Sequence, residues 1–266
     1  MWLLILLGLV IGSFLNVLVH RVPRDESIAF PPSHCPACDH RLAPADLVPV
    51  ASWLALRGRC RYCQAPIPWR YPAVELLNAA VYLLLYLRFG WRLGLLPYAV
   101  LTSLMVAVTF IDLDHQLLPD ALTLPGLAAG LGFALFETLA ERGYSHPFSV
   151  PNLPYLFDPL SFKAAVVGAA VGAGVILAII WLSRGGMGYG DAKLLAMIGA
   201  FTGWRGALGT LFAGAILGSV VGIFLLATKR KGRRDPIPFG PFLVSGCLFI
   251  LFADRLLLSI LGRFYW

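Results

Sequence analysis

Charge is scarce in this chain of 266 residues: Asp, Glu, Lys and Arg together make up 13% of it, about half the share found in an ordinary soluble domain. So little polar surface cannot cover a globule in water, which excludes a soluble fold. Acidic residues are the rarer sign, 14 against 21 Lys and Arg, for a net charge of +7. The basic residues cluster between apolar runs and do not line one helical face, so the excess reads as loop charge in a membrane protein rather than as a nucleic-acid surface. Its anionic neighbours are lipid head groups. Charge is also missing ahead of the first apolar run, MWLLILLGLVIGSFLNVLVHR, where His20, Arg21 and Arg24 follow instead. With no small-residue cleavage site evident, the run reads as a retained first helix and not a secretory signal. An internal repeat is lacking as well.

What is abundant is apolar sequence, 59% of the chain. A spanning helix needs about 20 apolar residues, and such runs fall near 1–19, 72–88, 93–111, 121–139, 163–183, 192–203, 206–227 and 239–262. The expectation is an all-α polytopic membrane protein with about eight transmembrane helices. The sixth run is short enough to be tilted, half-inserted or buried among its neighbours. Three parts follow along the chain: a first helix (1–20), a polar insertion rich in Pro, Arg and Cys (21–70), and a multi-helix membrane domain (71–266). With the N-terminus outside, the segments 21–70, 112–120, 184–191 and 228–238 fall in the cytoplasm and carry 13 of the 21 Lys and Arg. The opposite segments carry 5, the asymmetry expected of that orientation. The outer loop 137–161, with Tyr144, Pro147, Pro151, Pro154 and Tyr155, carries no sign of chemistry.

Four of the five cysteines stand as Cys35-Pro-Ala-Cys38 and Cys60-Arg-Tyr-Cys63 with 21 residues between the pairs. Two such knuckles suit tetrahedral Zn²⁺ bound through four thiolates at about 2.3 Å. Two disulfides are the alternative, disfavoured in a reducing cytoplasm. Four cysteine ligands leave no open coordination position, so the expected metal is structural and closes a small cytosolic loop domain. His34 and His40 read as polar neighbours of the first knuckle, and Cys247 as a small buried hydrophobe.

Ionisable residues at the edge of spanning segments are expensive and point to function. They concentrate in Phe110-Ile111-Asp112-Leu113-Asp114-His115-Gln116-Leu117-Leu118-Pro119-Asp120 and in Gly185-Gly186-Met187-Gly188-Tyr189-Gly190-Asp191-Ala192-Lys193. The expected topology brings Asp112 and Asp191 to the cytoplasmic side. Two close carboxylates share one proton and titrate as a unit. One can then activate water while the other polarises a scissile carbonyl. The plainer roles are a helix cap for Asp191, a solvated loop charge for Asp114 and a cap for Asp120. A phosphate-cradling loop is disfavoured, since no strand precedes the glycines and the Lys-Ser/Thr of a P-loop is missing. A proton- or cation-coupled transporter could use the same carboxylates, as against a scaffold whose zinc loop only binds partners.

At this point the residues resemble the bacterial type IV prepilin peptidases, the leader peptidase and N-methyltransferase family of intramembrane aspartic proteases. The likeness rests on Gly12-Ser13-Phe14-Leu15-Asn16-Val17, both CxxC knuckles, Arg57-Gly58-Arg59-Cys60-Arg61-Tyr62-Cys63, and Arg70-Tyr71-Pro72-Ala73-Val74-Glu75-Leu76. It continues through Leu118-Pro119-Asp120, Gly188-Tyr189-Gly190-Asp191 and Pro238-Phe239-Gly240-Pro241-Phe242. The resemblance implies cleavage of the basic leader of prepilins or pseudopilins, with Asp112 and Asp191 as the catalytic pair and Asp114 as the alternative to Asp112. It also implies N-methylation of the new terminus with S-adenosylmethionine, an activity associated with the zinc-bearing part, although no motif tells which residues hold that cofactor. A bacterial inner-membrane location follows, with pilus or type II secretion machinery as indirect partners by way of the substrates.

Overall fold

The computed structural model describes residues 1–141, 146–150, 153–183, 187–229, 232 and 237–262, with side chains in the last helix described as far as 253. Tyr144, Pro151, Gly185, Gly186 and most of the basic stretch 228–238 lie outside the described residues. The chain divides into two compact units, Met1–Leu87 and Arg88–Trp266. Among the described residues every regular element is helical apart from two isolated bridges.

In the first unit, α1 (Trp2–Arg21) and α3 (Arg70–Phe89) flank the polar insertion, which holds two short 3₁₀ turns and the five-residue α2 (Ala51–Ala55). Leu, Ile and Val fill α1, and its small residues make the contact with α3. A Cβ on Gly8 would lie 2.7 Å from Ala79 Cα, and one on Gly12 would lie 2.6 Å from Glu75 Cα. Small residues four apart let two backbones meet in this way in a membrane. Polar bonds lock the register: Asn78 Nδ2 donates to Gly8 O (2.8 Å) and Asn16 Nδ2 to Tyr71 O (3.0 Å). Arg21, at the end of α1, is buried and donates to Ser27 O (2.9 Å) and Pro31 O (2.7 Å), folding the start of the insertion back on the helix.

The second unit contains α4 (Leu95–His115), α5 (Asp120–Glu141), α6 (Phe162–Ser183), α7 (Tyr189–Ala227) and α8 (Gly240–Gly262). Its core gathers Leu101, Met105 and Ile111 of α4 with Leu194, Leu195, Met197 and Ile198 of α7, all fully buried. Gly168 and Gly199 bring the backbones of α6 and α7 into direct contact, each occupying space that a Cβ on the other would need. Outward-facing Trp181, Phe212, Ile223 and Phe224 are exposed, the surface expected against lipid and unexplained in water.

Among the described residues six helices are long and apolar enough to cross a membrane, and α8 adds a shorter apolar stretch at Gly240–Ala253. The chain is therefore a multi-pass membrane protein. The sixth and seventh apolar runs, expected to part at 204–205, follow each other within α7, 39 residues long. A straight helix of that length would measure about 58 Å, about twice the hydrocarbon core. It is interrupted at Gly203, whose φ of 74° and ψ of −178° are not helical. Only glycine takes that conformation without strain. Asp158 fits into the break: its N–H donates to Thr202 O at 3.0 Å, and its carboxylate occupies the space a Cβ on Gly203 would fill. The short sixth run, now the first half of α7, is almost wholly buried, one of the three outcomes open for it.

Candidate active site and metal centre

The four sulfurs of Cys35, Cys38, Cys60 and Cys63 all lie within 4.8 Å of one another. Each knuckle uses the same backbone. Cys35 N–H donates to His40 O (3.0 Å) and Cys60 N–H to Ala65 O (2.8 Å), and the residue after each second cysteine, Asp39 or Gln64, has positive φ. Single antiparallel bridges, His34 to Arg41 and Arg59 to Pro66, close both turns. Tetrahedral zinc with bonds of about 2.3 Å sets sulfurs about 3.8 Å apart, and Cys35 Sγ to Cys63 Sγ is 3.8 Å. A disulfide of about 2.05 Å is not formed; all five cysteines are free. The backbone N–H groups of Cys63 and Tyr62 point at the Cys60 sulfur and hold its thiol down to about 7. Cys38 is pushed up to about 12, the His40 N–H directed at it being outweighed by desolvation and by sharing with Cys63 and Cys35. Four thiolates this close need a cation, so the donor set fits zinc. His40 packs against Tyr62 with ring centroids 3.7 Å apart and ring planes tilted by 33°, as a neighbour of the sulfurs and not one of the cluster.

Asp46 fastens the second knuckle to the preceding 3₁₀ turn. Its carboxylate accepts Arg61 Nε at 2.7 Å, Tyr62 Oη at 3.1 Å and the Ala43 N–H at 3.1 Å. Burial raises this carboxyl, and the bonds from Arg61, Ala43 and Tyr62 outweigh it, leaving it below the ordinary carboxylate range. Its contribution is thus present above the unfolded carboxyl's pKa and lost as pH falls through the lower folded value. At neutral pH, Asp46→Asn is expected to speed zinc transfer to a chelator severalfold, followed with a colorimetric zinc indicator. An unchanged rate would mean the clamp does nothing for the knuckle.

Asp112 lies in the last turn of α4, buried, with Oδ2 accepting the N–H of Gly240 at 3.0 Å. A Cβ on Gly240 would lie 2.6 Å from that oxygen, so glycine opens α8 just where the carboxylate reaches it. Asp191 lies in the first turn of α7, also buried, and its Oδ2 accepts the Gly188 N–H at 3.1 Å. The capping role is therefore real, yet a cap alone does not require burial. Leu118 links the two acids: it packs 2.7 Å from where a Cβ on Gly190 would stand and 3.0 Å from one on Gly240. The carboxylates of Asp112 and Asp191 lie within electrostatic reach of each other. Asp114, two residues on, is exposed, a distinction the sequence left open.

Asp120 does not cap a helix through its side chain. Pro119 O accepts the N–H groups of Leu122 and Thr123 (3.1 Å each), while the Asp120 carboxylate takes both bonds of Lys193 Nζ, at 2.6 and 2.8 Å. That pair ties the start of α5 to the start of α7, two residues beyond Asp191. An exposed pair contributes about 1 kcal/mol or less to stability, so Lys193→Met should hardly change the melting point. If the pair positions the carboxylates, peptide turnover falls severalfold, and the swapped pair Asp120→Lys with Lys193→Asp recovers part of it. A double-mutant cycle on kcat checks this; additive losses would show the two side chains are uncoupled.

Two buried acids escaped the sequence reading, which placed ionisable residues in two segments only. Glu75, inside the second apolar run, accepts the Val50 N–H at 2.7 Å. Glu137 accepts the Phe148 N–H at 2.8 Å and lies 3.6 Å from His146 Nδ1, holding the loop after α5 in place. An acid within or at the end of an apolar run was the available signal in both cases.

Residues 6–89 match the family model described as the Bacterial Peptidase A24 N-terminal domain, and residues 99–223 match the Type IV leader peptidase family. The chain is 39% identical to the prepilin leader peptidase/N-methyltransferase of Aeromonas hydrophila, over 96% of its own length and 91% of the relative. The protein of the same name from Pseudomonas aeruginosa is 35% identical, over 95% and 90%. That from Myxococcus xanthus is 45% identical over 87% of this chain, which spans 65% of that relative's length. No solved structure matches the chain.

Proposed function

The chain belongs to the type IV leader peptidase family, and from that premise we propose that it cleaves the basic leader of prepilins or pseudopilins and methylates the terminus so exposed. The observation that carries the peptidase reading is that two buried acids, Asp112 at the end of α4 and Asp191 at the start of α7, are brought together around Leu118, which packs on both Gly190 and Gly240. With one proton shared between them, the ionised carboxylate takes a proton from water, and the water oxygen attacks the scissile carbonyl carbon. The protonated carboxyl meanwhile gives its proton to the carbonyl oxygen. Collapse of the tetrahedral intermediate breaks the C–N bond, and the leaving nitrogen takes up a proton. The Gly240 and Gly188 N–H groups each hold one carboxylate oxygen, Oδ2 of Asp112 and Oδ2 of Asp191, which orients both acids for the attack. Ion transport through the same carboxylates finds no support in the family match.

Peptide hydrolysis belongs in this reading to 71–266, and methyl transfer to the zinc-bearing segment 21–70. Zinc held by the four cysteines is structural, and S-adenosylmethionine supplies the methyl group. The active site and zinc loop face the cytoplasm across a bacterial inner membrane, where a pilin helix can stay in lipid while its leader reaches the acids. Pilus or type II secretion machinery is reached by way of the processed substrates. Purified protein incubated with a prepilin peptide, with and without S-adenosylmethionine, should yield the cleaved peptide, and with the cofactor a product 14 Da heavier, about the mass of one added CH₂. An intact peptide under both conditions would overturn the proposal.

A further inference from the structure

A cavity of about 490 Å³ opens inside the first unit, between the C-terminal half of α1 from Val10 onward, the zinc knuckles, α2 and the start of α3. Its size falls within the about 300–1,000 Å³ typical of small-molecule sites. We infer that this cavity is the S-adenosylmethionine site, with the Glu75 carboxylate facing the sulfonium, an assignment that rests on the methyl-transfer reading above.

The case begins with an imbalance of charge. The lining holds three acids, Glu26, Asp46 and Glu75, against two arginines, Arg21 and Arg61, with His20 and His34 beside them. Asp46 is already taken by Arg61 and Tyr62, and the cation Arg21 is spent on two backbone carbonyls. Glu75 differs from both. It is 7% exposed, and its hydrogen-bond partners, the Val50 N–H and the Ser13 hydroxyl, are neutral. A carboxylate withdrawn from water is costly unless a cation meets it, so a pocket beside Glu75 favours a positively charged occupant. S-adenosylmethionine carries a sulfonium next to an adenosine, a cation joined to a flat heterocycle. The rest of the wall suits that second half: Trp53, its indole N–H fixed on Ile67 O at 3.0 Å, stands with Pro49, Pro68 and Tyr71 as a rigid apolar and aromatic lining. Asn16 and His20 add polar groups on the α1 side.

The same geometry gives the metal a further part. Cys35 and Cys60, the two buried ligands, also line the cavity, so the folded zinc loop forms one of its walls. Zinc then supports methylation by shaping the cofactor pocket, with no need for an open coordination position.

Equilibrium dialysis of the full chain in detergent, with labelled S-adenosylmethionine and separately with S-adenosylhomocysteine, tests this without any turnover. The homocysteine compound lacks the sulfonium charge. Glu75→Gln should weaken S-adenosylmethionine roughly tenfold or more and S-adenosylhomocysteine much less, while Ser52→Trp, which fills the cavity, should weaken both. Zinc content reports whether each variant's loop is folded. If a variant loses its zinc, photo-crosslinking of the cofactor to the unmodified protein decides instead, with attachment expected at Trp53 or Tyr71. Attachment outside residues 10–75 would refute the site. Equal weakening of both ligands by Glu75→Gln would overturn the sulfonium contact, and wild-type affinity in both folded variants would overturn the cavity. No binding by the wild type would instead strike the methyl-transfer reading itself.

Discussion

Asp191→Asn is expected to reduce leader cleavage by about a thousandfold or more, and Asp112→Asn to do the same, the scale of losing a general acid or base. Asparagine suits the test because its side-chain oxygen can still accept the Gly188 or Gly240 N–H, leaving the helix ends in place while removing the exchangeable proton. The two losses should not add, since the pair acts as one device; the double variant should be about as slow as either single one. Asp114→Asn provides the contrast. Its side chain is exposed where Asp112 is buried, so most activity should remain. The readout is single-turnover cleavage of a prepilin peptide, with zinc content and melting temperature as controls for folding. Substantial cleavage by either well-folded Asp112 or Asp191 variant would be direct evidence against the two-acid mechanism.

Removing zinc should have the second large effect, and it should be confined to the polar insertion. Structural zinc sites release about 10–16 kcal/mol on binding, comparable with or larger than the total stability of a typical domain, about 5–15 kcal/mol. The insertion's only regular structure is two 3₁₀ turns, the five-residue α2 and two single bridges, and the few hydrogen bonds that support them are small beside the metal term. Metal analysis should find one zinc per chain. Exhaustive chelation, or Cys35→Ser with Cys60→Ser, should leave residues 32–68 without protection in hydrogen exchange while the helices of the second unit keep theirs. Alkylation under denaturing conditions should count five free thiols. A metal-free protein with full protection over that stretch, or a count of one thiol, would replace the zinc account with two disulfides.

The contrast between what was legible and what was not follows the range of the forces involved. Membrane residence, an all-helical fold and the spacing of the four paired cysteines are local matters. Scarce charge and long apolar runs specify the solvent of each segment, and a CxxC turn forms within half a dozen residues. The boundary between the sixth and seventh apolar runs, expected at 204–205, falls beside the break at Gly203, but its cause did not show in the sequence: the partner that fills the break, Asp158, is 45 residues earlier. Glu75 was legible as an acid within an apolar run, but its cavity is built from α1, α2 and both knuckles.

From residue order alone came the lipid environment, the helices and the four sulfur donors, because each depends on composition or short spacing. Folding in three dimensions decided that Asp112 and not Asp114 is the buried member of its pair, that Leu118 fits between Gly190 and Gly240, and that Asp120 binds Lys193. Those are contacts between helix ends distant in the chain, and only the packing of α4, α5, α7 and α8 brings their side chains within bonding range.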